Sequence, residues 1–119
     1  VKMIILKIPK RSKGKDLREF ILNVIKKLKR NQQHKYIKLE GEVSYSKNNV
    51  YFIFPGRALE LSFALSILFK CQKHEILCEL EMSKPIDVGK IPREVVECAQ
   101  QWAGRKLWRK CYKLKDLKV

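Results

Sequence analysis

Acidic residues are scarce in this chain of 119 residues: 12 Asp plus Glu stand against 27 Lys plus Arg, a formal net charge of +15. Such an imbalance points to a polyanion as partner, nucleic acid first, an anionic membrane surface or an acidic protein after it. No apolar run approaches the roughly 18 residues that a membrane-spanning helix needs, and the apolar start from Val1 to Pro9 is shorter than a secretory core with its cleavage site. Histidine is nearly missing. Only His34 and His74 occur, both in polar breaks, and no Gly-x-Ser-x-Gly, His-Glu-x-x-His or P-loop pattern is present, so neither enzymatic chemistry nor a cofactor is expected. Four cysteines, Cys71, Cys78, Cys98 and Cys111, are few for this length. Each lies in apolar, element-like sequence, which reads as reduced core thiols in a cytoplasmic or nuclear compartment. Cys71-x-x-His74-x-x-x-Cys78 contains zinc-ligand types, with Cys98 or Cys111 as a fourth, but at a spacing that matches no standard module, so no metal is expected.

Apolar residues are plentiful, 45% of the chain, enough for the core of one domain. Met3 to Pro9 is short, rich in isoleucine and closed by proline, which predicts a strand. After the basic loop Lys10, Arg11, Lys13, Lys15, the pair Asp16 and Glu19 predicts a capping box. Leu17, Phe20, Ile21, Val24, Ile25 and Leu28 then form one stripe of a helix, with Lys26, Lys27, Lys29 and Arg30 in its C-terminal turns. Tyr36 to Tyr45 alternates with period two and predicts a half-buried strand, and a Ser46 to Asn49 turn leads to its hairpin partner, Val50 to Phe54. Ala58 to Lys70 predicts a second helix and Ile76 to Met82 a fourth strand. Ser83 to Pro92 reads as a linker, and Arg93 to Leu114 as a third helix interrupted by Gly104.

The element order βαββαβ over residues 1–82, followed by a linker (83–92) and a basic C-terminal helix and tail (93–119), predicts an α+β fold: a ferredoxin-like antiparallel sheet with two helices on one face and one added helix. This order, with a polar turn before the third strand, resembles the RNA recognition motif. Lys47, Tyr51, Phe52 and Phe54 fit the family's longer signature over Lys47 to Phe54, where Asn48 and Asn49 replace its glycine and first stacking aromatic. On the first strand, Ile4 to Pro9, the stacking aromatic is Ile5. The resemblance implies single-stranded RNA on the open sheet face, with Tyr51 as the one stacking aromatic remaining.

Strand parity qualifies that expectation. If Val50, Phe52 and Phe54 face the helices, the open face carries Tyr51, Ile53, Ile5 and Lys7 between Glu40 and Glu42 on one side and Glu79 and Glu81 on the other. Carboxylates there repel phosphates. RNA is therefore expected on the basic loop (Lys10, Arg11, Lys13, Lys15) and on the tail, where Arg105, Trp108, Arg109, Lys110 and Tyr112 interleave cations with aromatics. The second helix has two apolar stripes, Ala58, Leu61, Leu65, Leu68 and Phe69 for the sheet, and Leu59, Phe63 and Ile67 on the other side. The latter stripe awaits the third helix, a protein partner or a second copy. The expected function is non-catalytic RNA binding; the alternative is a protein-interaction subunit of a larger assembly.

Overall fold

Strict alternation opens the fold: in β1 (Met3–Pro9) Ile4, Leu6 and Ile8 are buried while Ile5 and Lys7 are half-exposed. The computed structural model describes residues 3–84, 88–103, 111 and 114. Three further strands complete the sheet: β4 (Glu42–Tyr45), β5 (Asn49–Pro55) and β6 (Glu79–Met82). They form an antiparallel sheet of order β4-β5-β1-β6. Val50, Phe52 and Phe54 of β5 are buried opposite Ile8, Leu6 and Ile4 of β1, so one face of the two central strands is a continuous apolar floor.

Two helices supply the other side of the core. In α1 (Arg18–Gln32) the buried residues are Ile21, Val24, Ile25, Leu28 and Asn31, close to the expected stripe. Its start differs from a capping box. The carboxylate of Asp16 accepts a hydrogen bond from the Arg18 N–H at 2.9 Å, and Leu17 occupies the cap position with its side chain in the core. In α2 (Ala58–Lys73) every residue from Ala58 to Ile67 is buried. Ser62 and Ser66 make this tolerable: each hydroxyl donates to the carbonyl three residues back, both at 2.6 Å, so no polar group is stranded.

The third helix, α3 (Arg93–Ala103), answers what covers the second stripe of α2. Val95, Cys98, Ala99 and Trp102 are buried, and the Trp102 indole meets Phe63 edge-on at 5.3 Å, while Phe63 meets Phe54 of β5 at 5.8 Å. Three rings thus connect the outer helix to the sheet. Leu59, Phe63 and Ile67, read from sequence as a protein interface, are only 7%, 0% and 1% exposed. They are core, because α3 packs on α2. Fully burying one such side chain is worth roughly 1.5–3 kcal/mol, more than leaving it for an occasional partner.

Three segments depart from the expected boundaries, the simplest being Ile76 to Cys78, which precedes β6 and is not part of the strand. Lys10 to Lys15 is not a plain loop but contains a small hairpin, β2 (Arg11–Ser12) paired with β3 (Lys15–Asp16), turned by Lys13 and Gly14 at φ 51° and 78°. Tyr36 to Gly41 is not strand. A Cβ on Gly41 would lie 2.7 Å from Phe54 Cδ1, so the chain passes too close to the core to carry a side chain there. Strand pairing begins only at Glu42. Ile37 and Leu39 are buried nonetheless. A single 3-10 turn, Val88–Lys90, lies in the connection to α3.

Candidate functional site

Where β1 ends and β5 begins, three segments converge on a groove of about 690 Å³. Lys10 comes from the β1–β2 connection and Arg11 from β2, Arg18 and Leu22 from the first turns of α1, and Tyr45 from the end of β4 with Lys47 and Asn48 in the turn that follows. Backbone hydrogen bonds fix this junction: Lys10 N–H donates to Asn48 O at 2.8 Å and Leu17 N–H to Lys10 O at 2.9 Å. The β4–β5 turn is closed by Ser46, whose hydroxyl oxygen accepts from Asn49 N–H at 3.1 Å. Asp16 is the acidic side chain of the lining, and its carboxylate is held by the first turn of α1. Among the described residues Lys10, Arg11, Arg18 and Lys47 form no ion pair. The result is a positive groove with an aromatic wall.

Tyr45 is that wall. It shares the helix-facing side of the sheet with Val43, yet it ends an edge strand beyond the cover of α1 and is 63% exposed. Leu22, off the buried stripe of α1, is 48% exposed on the opposite bank. The sequence pattern places Tyr45 in a half-buried strand and does not single out Tyr45, Arg18 or Leu22 as site residues, nor Lys47 as a cation of the site. The signal for Tyr45 was the edge position. Lys13 and Lys15, grouped with Lys10 and Arg11 in the sequence, lie on the other side of the β2–β3 hairpin, where Lys13 pairs with Glu75 at 3.5 Å.

Tyr51 is elsewhere. Strand register places Ser44, Tyr51, Lys7 and Glu79 in one row across the open sheet face, and Glu42, Ile53, Ile5 and Glu81 in the next. Lys7 is paired with Glu79 at 3.6 Å, so the cation of this face is already engaged. The face is apolar at its centre and acidic at both edges. Arg105, Trp108, Arg109, Lys110 and Tyr112 lie outside the described residues.

Away from the groove, the segment that leads into β4 is tied to the start of α2. Glu60, fully buried, receives Arg57 on both carboxylate oxygens and accepts the Glu40 N–H at 2.9 Å, while Arg57 Nη2 donates to Lys38 O at 3.3 Å. The hydrogen bond to Glu60 raises the pKa of Arg57 above its ordinary value despite the burial. On the far side of α1, Lys27 Nζ donates to the carbonyl of Trp102 in the last turn of α3. Burial, with Lys70 and Arg30 nearby, lowers its pKa to about 8.

The cysteines overturn the reading of uniformly reduced thiols. Cys98 and Cys111 are joined by a disulfide and are buried, so they are not available as metal ligands. Cys71 and Cys78 are free, and the interaction between their neighbouring thiols raises the pKa of Cys71 and lowers that of Cys78. Among the described residues no cluster of three metal-ligating side chains occurs, and no helix is long and apolar enough to cross a membrane. No protein-family model, curated protein or solved structure matches the chain.

Proposed function

We propose that this is a non-catalytic RNA-binding protein on a ferredoxin-like, RNA-recognition-motif-like plan, gripping single-stranded RNA in the groove at the end of its sheet. The strand order β4-β5-β1-β6, with α1 and α2 packed on one face, supports that plan. One observation carries the function: cations from three separate segments, without an ion pair among the described residues, surround an exposed tyrosine. Lys10, Arg11, Arg18 and Lys47 neutralise phosphates, and Tyr45 offers a stacking surface, a combination that gives affinity with little sequence preference. The tail cations and aromatics, Arg105, Trp108, Arg109, Lys110 and Tyr112, extend the same chemistry along the sequence.

The sheet face takes a different role in this reading. Phosphates are repelled by Glu42, Glu79 and Glu81, so Tyr51 is not the main platform. Its uncovered Ile5 and Ile53 favour, as a second reading, a protein contact within a ribonucleoprotein assembly. Titration of the chain with fluorescently labelled single-stranded RNA over a range of salt tests the first reading. Engagement of four phosphates gives a slope of log K against log salt of roughly −3; absence of binding at low ionic strength overturns it.

A further inference from the structure

The hydroxyl of Ser12 is buried, the residue being 8% exposed, and has no hydrogen-bond partner among the described residues. Buried polar groups are nearly always satisfied, and an orphan is destabilising. Ser12 lines a cavity of about 270 Å³ on the side of the β2–β3 hairpin away from the groove. Strand alternation explains the division: the cross-strand pair Arg11 and Asp16 faces the groove, and the next pair, Ser12 and Lys15, faces the cavity. The floor is apolar, made by Leu17, Phe20 and Ile76. Phe20 lies edge-on to the His74 imidazole at 6.5 Å.

The far wall is the end of α2. Ile76 N–H donates to Cys71 O at 2.8 Å and Glu75 N–H to Gln72 O at 3.2 Å, with Glu75 at φ 58°, the arrangement of a Schellman cap. This places the Glu75 carboxylate at the cavity, tied to Lys13. The lining therefore combines an apolar floor with aromatic rings, a hydroxyl that donates or accepts, a carboxylate that accepts, and lysines at the rim.

We propose that this cavity receives one unstacked base of the RNA held in the groove. The base lies on Phe20, Ser12 Oγ hydrogen-bonds its edge, and Lys15 meets the adjoining phosphate as the strand crosses the hairpin. The inference rests on the RNA-binding reading. A phosphate alone is a poorer occupant, because the carboxylate and the carbonyl end of α2 both oppose an anion. Glu75, an acceptor only, favours a base with an amino group over uracil, which shows no such donor.

The test uses the full chain and two oligonucleotides, a decamer of uridines and the same decamer with a central cytidine. The cytidine oligomer should bind about fivefold more tightly. Glu75→Gly, which suits the φ of 58° at that position, should erase the difference, whereas Ser12→Ala and Phe20→Leu should weaken the binding of both decamers. If Ser12→Ala raises the melting temperature and leaves both affinities as they were, the hydroxyl is a structural orphan and the proposal fails. If neither decamer binds, the groove reading has failed. Cytidine monophosphate is then titrated at millimolar concentration, with amide shifts at Ser12, Lys15 and Phe20 supporting the pocket and their absence overturning it.

Discussion

Along β5 two surfaces adjoin that share strands but not chemistry. The open face presents Tyr51 and Ile53 in rows that end in Glu42, Glu79 and Glu81. A few residues away, where the same strand begins, the groove presents Lys47 with Lys10, Arg11 and Arg18 around Tyr45. Each surface has one tyrosine. The difference is the sign of the surrounding charge, and it teaches that an aromatic on a sheet identifies a nucleic-acid platform only together with the electrostatics of its neighbours. Stacking needs a backbone that can approach, and carboxylates at the edges of the face oppose that approach.

The largest effect should come from the buried Arg57–Glu60 pair at the start of α2 rather than from either surface. Glu60→Ala removes the partner of Arg57 and of the Glu40 N–H, and should lower stability by about 3 kcal/mol in urea unfolding. A loss below about 1 kcal/mol would mean that the edge strand does not depend on this buried carboxylate. Next, Arg11→Glu combined with Lys47→Glu reverses the charge of the groove. It should weaken RNA binding by roughly 100-fold at low salt, about 2.7 kcal/mol, and flatten the salt dependence. An unchanged affinity would break the comparison.

Tyr45→Ala tests the aromatic wall alone and should reduce affinity by roughly tenfold, within the ~1–3 kcal/mol that a stacked base contributes. The smallest effect belongs to Tyr51→Ala, expected within about twofold in the same assay. If Tyr51→Ala proves more damaging than Tyr45→Ala, the open face is the platform after all and the ordering of the two surfaces is inverted.

The regular parts of the fold were legible because local pattern and tertiary burial agree in them. Ile4, Leu6 and Ile8 alternate with Ile5 and Lys7 in sequence and in the sheet alike, and the apolar stripe of α1 is the face it buries. Tyr36 to Gly41 carries the same alternation but is not strand, since Gly41 rides against Phe54 and Glu60 captures the Glu40 N–H from 20 residues away. No local pattern encodes those contacts. Tyr45 escaped for a related reason: parity gives its face, whereas exposure depends on how far α1 reaches. Lys10 and Arg11 were found from charge alone. Their separation from Lys13 and Lys15 follows from a hairpin whose two-residue strands are too short to register as a pattern.

The lysine beneath α3 links the packing of that helix to proton release. Lys27 titrates near 8 in the folded protein against an ordinary value of 10.5. Between these values the unfolded chain therefore holds a proton that the folded chain has released. Folding in that window expels the proton, and by linkage the contribution of this site to stability becomes more favourable as pH rises from about 8 to 10.5. Below that window the folded protein carries the full penalty of a charged, partly buried ammonium beside Lys70 and Arg30. The seat of α3 on α1 thus behaves as a proton-release site, strengthened by alkali where most lysine contacts are weakened.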